Sequence, residues 1–184
     1  PRFPEWGERQ VPVQDGQLAL PDDMIRMAVC NRYGQNTPTR IAFLENWGTW
    51  RGAFATTVSH DSHNLTVFGR TAKDMAVAAN AVRQTQGGLA VVSQGKVIAS
   101  LPLPLAGLIS DQTIADTAKS FSEIRAALDA LVDWQPPYLV FKALFGASLV
   151  CNAGPRLGDV GLVDVFNNKI LESCVLEDGI DGAG

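Results

Sequence analysis

The stretch TAKDMAVAANAVRQTQGGLAVVSQGKVIASLPL (Thr71–Leu103) changes its period halfway along, and that change decides the fold class. In its first half Met75, Ala78, Ala79 and Val82 fall at i, i+3, i+4 and i+7, which predicts a helix with one apolar face. Thr71 is the expected N-cap, and Asp74 places negative charge in the first turn. Gly87 and Gly88 stop the helix. From Leu89 the pattern is that of a hairpin, two apolar strands about Gln94-Gly95, halted by Pro102 and Pro104 ahead of a rigid turn.

Working outward, the upstream runs MIRMAVCNRY (Met24–Tyr33), RIAFLENW, GAFATTVSH and LTVFG are rich in β-formers and broken by glycine. The first twenty residues read as an arm, with two short strands about Asp15-Gly16. Downstream, a longer helix is expected from about Asp111 to Val132, with Ile114, Phe121, Ile124, Leu128 and Leu131 as its buried stripe. Trp134 and Pro136-Pro137 would close it. The run YLVFKALFGASLVCN fits a buried helix or a strand equally well. VGLVDVFNNKILESCVL is expected to end the chain as a hairpin around Asn167-Asn168. The expected fold is α/β (α+β-like): a layered domain with a mixed β-sheet, two main helices packed on it, and no (β/α)8 barrel.

Bulk properties narrow the function classes. At 184 residues the chain has room for one good core, and its 46% hydrophobic and 18% charged content is that of a globular domain. A net charge of -4, with no run of Lys and Arg, excludes nucleic acid and anionic membrane as natural partners. No apolar stretch reaches the roughly 18 residues of a membrane span. Cys30, Cys151 and Cys174 are odd in number and lack a Cys-x-x-Cys pair, as in a reducing cytoplasm. The sequence begins with proline rather than Met, which reads as a piece of a longer polypeptide.

Both histidines of the chain fall in SHDSHN, residues 59–64. His60, Asp61, Ser62, His63 and Asn64 sit between two apolar runs, at a strand end where binding and catalytic groups collect. One reading is a buried polar network in which each group satisfies another. A metal site would need three or four ligands, and His60 with His63 supplies two. A Ser-His-Asp hydrolase is formally available, but Ser62 lacks a Gly-x-Ser-x-Gly elbow and near neighbours in sequence rarely form a triad. The remaining reading is recognition or protonation of a polar ligand. Elsewhere there is no Walker A pattern, no His-x-His pair and no His-Glu-x-x-His.

Taken together, GAFATTVSHDSHNLTVFG, DMAVAANAVRQTQGGLAVVSQGKVIASLPLPLAGLISD, WQPPYLVFKALFGASLVCN and GLVDV resemble the C-terminal domain of bacterial adenine deaminases of the amidohydrolase superfamily. The resemblance runs from about Met24 onward. It implies residues 1–20 as an arm or remnant of a preceding small β domain, and 21–184 as the C-terminal domain. It also implies a larger enzyme, in which a (β/α)8 barrel holds a divalent metal centre (Mn, Fe or Zn) that activates water to attack adenine. The metal ligands there include a His-x-His pair, which this chain lacks. The chain alone is therefore expected to be inactive and to carry no cofactor. Its expected partners are an adenine-type small molecule, the barrel of the same polypeptide, and further copies in a homo-oligomer. His60, Asp61 and His63 would serve catalysis and Ser62 and Asn64 substrate binding, at the mouth of the barrel. A free-standing purine-binding or regulatory module is the competing reading.

Overall fold

Strand alternation sorts side chains by size, and the sorting sets the order of layers. The computed structural model describes residues 4–133, 140–171 and 173–175. In chain order its first strands are β1 (Val13–Gln14), β2 (Gln17–Leu18), β3 (Met24–Cys30), β4 (Arg40–Glu45), β5 (Thr49–Trp50), β6 (Ala53–Thr56) and β7 (Leu65–Gly69). Helix α1 (Ala72–Gln84) follows, then β8 (Gly88–Ser93), β9 (Lys96–Pro102) and α2 (Ile114–Leu131). The chain closes with β10 (Val132–Asp133), α3 (Val140–Gly146), β11 (Arg156–Gly158), β12 (Gly161–Asp164) and β13 (Lys169–Leu171).

The main sheet runs β4-β3-β7-β6-β8-β9. Its ladders are antiparallel, so the layered expectation holds with its α+β character, and no closed barrel forms among the described residues. On one face Ala28, Ala53, Ala55 and Ala90 meet Met75, Ala78 and Val82 of α1. Alanines there leave space for a helix to lie close. The opposite face carries Met27, Phe54, Phe68 and Val91, packed against Ile124, Leu128 and Leu131 of α2. Phe54 and Phe68 stack at 6.5 Å between ring centroids. β6 and β8 are thus covered on both sides, which explains their unbroken apolar sequence.

Local chemistry explains the element ends. Thr71 caps α1 by accepting from the Asp74 amide at 3.1 Å. The β8–β9 turn places Gln94 and Gly95 at φ 52° and 76°, and the β1–β2 turn does the same with Asp15 and Gly16 at 51° and 74°. The ambiguous run after residue 137 is helical over Val140–Gly146. The closing hairpin forms between β12 and β13, with β11 added at its side. Trp134, Pro136 and Pro137 lie outside the described residues.

One expectation is corrected. The stripe of α2 begins at Ile124, because Ile114 is 90% exposed and Phe121 37%. None of residues 114–123 is buried, so the first turns of α2 stand clear of the core as an overhang.

Candidate functional site

The loop between β6 and β7 lies at the sheet end where Gly87-Gly88, the 103–110 turn and the exit of β3 also meet. Its first residue anchors it. Buried Thr57 accepts from the Gly88 amide through Oγ1 at 2.8 Å and donates to the Gly107 carbonyl at 2.5 Å. Gly88 itself is fixed by its pairing with β9: it has φ 132°, and a Cβ there would stand 2.1 Å from the Leu101 carbonyl oxygen. Ser59, also buried, shares a hydrogen bond with Thr66 at 2.7 Å across the base of the loop. The His60 amide donates to the Phe145 carbonyl of α3 at 3.0 Å, and the His63 amide to the Ser59 carbonyl at 2.7 Å.

The five expected site residues are together on this loop, in graded exposure. His60, Asp61 and Ser62 are exposed, His63 is half-buried, and Asn64 is buried at 1%. The His60 and His63 rings stand edge-on with centroids 5.3 Å apart. The Cys151 thiol donates to Asp61 Oδ2 at 3.9 Å. Of the four side-chain polar atoms buried without a hydrogen-bond partner among the described residues, two are on this loop, Nδ1 of His63 and Oδ1 of Asn64; the others are Thr37 Oγ1 and Arg156 Nε. Burial, then the positive charge available to His60, pushes the His63 imidazole below its ordinary value, and Arg32 adds to this. The Thr57 carbonyl and Asp61 pull the other way without reversing it. The balance favours the uncharged imidazole of His63.

Sequence reasoning missed the pair that holds the rim of this loop. Arg32, just past β3, donates through Nε to the His63 carbonyl at 2.5 Å and through Nη2 to the Ala106 carbonyl at 2.6 Å. Its guanidinium lies 4.9 Å from the centre of the Tyr33 ring. Tyr33 in turn donates its hydroxyl to the Ser62 carbonyl at 2.6 Å. Gly107 beside Arg32 holds φ 74°, a left-handed conformation that favours glycine. The only hint in sequence was a cation and a phenol directly after a strand. Among the described residues, no three His, Cys, Asp or Glu side chains gather as a metal site. No described helix is long and apolar enough to cross a membrane.

Comparison with known proteins agrees with the resemblance seen in the residues. Residues 2–169 match the family described as adenine deaminase C-terminal domain. Adenine deaminase 2 of Rhizobium etli is 58% identical over 179 residues, covering 96% of this chain and 30% of that protein. Adenine deaminase of Klebsiella pneumoniae is 46% identical over 95% of this chain and 29% of its own length. The Kosmotoga olearia adenine deaminase is 34% identical over 90% and 29%. The chain thus spans about three-tenths of the curated relatives it matches.

Proposed function

Because this chain belongs to the adenine deaminase C-terminal domain family, we propose that it is one part of a larger enzyme that hydrolyses adenine to hypoxanthine and ammonia. In this reading residues 1–20 are a remnant or arm of a preceding small β domain, and 21–184 form the C-terminal domain. The divalent metal (Mn, Fe or Zn) that activates water belongs to a (β/α)8 barrel elsewhere in the polypeptide. The described residues here do not fit it, since His60 and His63 have no third ligand beside them. The chain is inactive by itself. Its unpaired cysteines suit a cytoplasmic enzyme.

What this chain contributes is the histidine loop. The observation that carries the reading is a contrast: the loop backbone is bonded on every side, while His63 Nδ1 and Asn64 Oδ1 have no partner. A pinned backbone with unspent polar atoms is what a ligand-facing loop requires. Adenine offers ring nitrogens that accept and an exocyclic amine that donates. Asn64 Oδ1, closed to solvent in this chain alone, would accept from the amine on opening of the loop toward the ligand. His63, favoured as the uncharged imidazole, can hold or release a proton at Nδ1. His60 and Asp61 share the catalytic role at the exposed rim, and Ser62 a binding role.

The test uses the intact polypeptide with His63→Ala and Asp61→Ala. Thermal midpoint, bound metal and adenine turnover are measured together. We expect turnover to fall about 10²–10⁴-fold, the usual loss of a positioned proton donor or acceptor, with midpoint and metal retained. Normal turnover in variants that keep their metal would make the loop purely structural.

A further inference from the structure

We propose that the apolar surface of Leu105, Leu108, Ile109 and Ile114 is the seat on which the rest of the same polypeptide docks, bringing it against the histidine loop. The inference rests on the reading that a catalytic part accompanies this chain in one polypeptide.

Three observations carry it. First, four apolar side chains close in sequence are exposed: Leu105 at 53%, Leu108 at 36%, Ile109 at 60% and Ile114 at 90%. Leu105 and Ile109 are tied to each other by paired backbone hydrogen bonds. Ser110 Oγ accepts from Thr117 Oγ1 at 3.0 Å, which fixes the turn against the overhanging start of α2 where Ile114 lies. Apolar groups so held, with water as their neighbour, mark an interaction site. Second, the turn and the histidine loop form one piece. Arg32 bonds the His63 carbonyl and the Ala106 carbonyl at once, and Thr57 bonds the Gly107 carbonyl from below. Whatever seats on Leu105 and Ile109 is therefore placed next to His60–Asn64. Third, the relatives are about three times the length of this chain, so a large body of the same polypeptide is available to occupy it.

The experiment places p-benzoyl-L-phenylalanine at position 109 of the full-length polypeptide, with position 98 on the far hairpin as a control. Ile98 is also half exposed, at 50%, but lies at the opposite end of β9. Isotopically heavy and light protein are mixed, irradiated, digested and read by mass spectrometry. We expect adducts from position 109 to join the preceding part of the chain within one isotope label, and position 98 to give none there. Mixed-label adducts would assign the surface to a second copy, and absence of adducts would leave it uncovered; either overturns the proposal. A native polypeptide with no preceding catalytic part would overturn the functional reading itself, which separates the two failures.

Discussion

Thr57 shows how much of the site depends on one hydroxyl. It receives the Gly88 amide and gives its own proton to Gly107, so two loops hang on a single buried oxygen. Thr57→Val keeps the shape and removes both bonds, leaving buried backbone groups without partners. The expected loss is about 1–3 kcal/mol in urea unfolding, and an unchanged midpoint would show that water or movement replaces the hydroxyl. His63 makes a separate prediction, in pH. Its folded-state value lies below the 6.5 of an ordinary imidazole, chiefly through burial. The unfolded chain therefore takes up protons first as pH falls, and the stability that His63 contributes is present above about 6.5 and lost through its depressed folded value. Asp23 and Asp164 are held below the ordinary carboxylate value by Arg9 and by Trp6, so their contributions fade only at more acid pH. As pH falls from about 7 through the depressed folded value, the thermal midpoint should decline, and His63→Gln should flatten that decline. An equal slope in the variant would remove His63 as its source.

Helix α2 offers the same residue in two environments. Ile124 is fully buried against the aromatic face, while Ile114 projects from the overhang. Ile124→Ala should cost about 2–5 kcal/mol, and Ile114→Ala should stay within about 0.5 kcal/mol in this chain alone. A large loss at Ile114 would mean that the overhang is packed. Helical spacing made the stripe visible from 114 to 131, but spacing reports only which side is apolar. Where the sheet underneath ends is a property of strands far away in sequence. Turns were more legible, because Asp15-Gly16 and Gln94-Gly95 carry their backbone geometry in their own residue types. The five polar residues of the loop were legible as a cluster for the same local reason. Arg32 was not, because its partners at His63 and Ala106 lie 31 and 74 positions away and are carbonyls that any residue could supply. The apolar run of β8 was legible as a hairpin strand, yet its burial on two sides and the assignment of α1 to the alanine face needed the neighbouring strands.

At the scale of the molecule, folding and chemistry separate. The cores on the two faces of the main sheet are each closed by a helix of this chain, α1 on one and α2 on the other. Both cores are formed within the described residues, so the chain expressed alone should unfold cooperatively in urea with one midpoint. Chemistry is different, because hydrolysis of an aromatic amine at neutral pH needs a strong nucleophile, and water supplies one when a metal lowers its pKa toward about 7. A metal held for that purpose needs three or more protein ligands, and the histidine loop brings two imidazoles. The folded chain should therefore release no ammonia from adenine with added Mn, Fe or Zn, and should carry well under one tightly held metal per chain. Ammonia release at an enzymatic rate would overturn the assignment of the metal to another part of the polypeptide. One metal per chain, lost on His60→Ala or His63→Ala, would do the same by placing the centre on this loop. A chain that folds cooperatively, binds no metal and leaves adenine intact is the expected result, and it requires all three measurements on one preparation, because an unfolded sample would also be inactive.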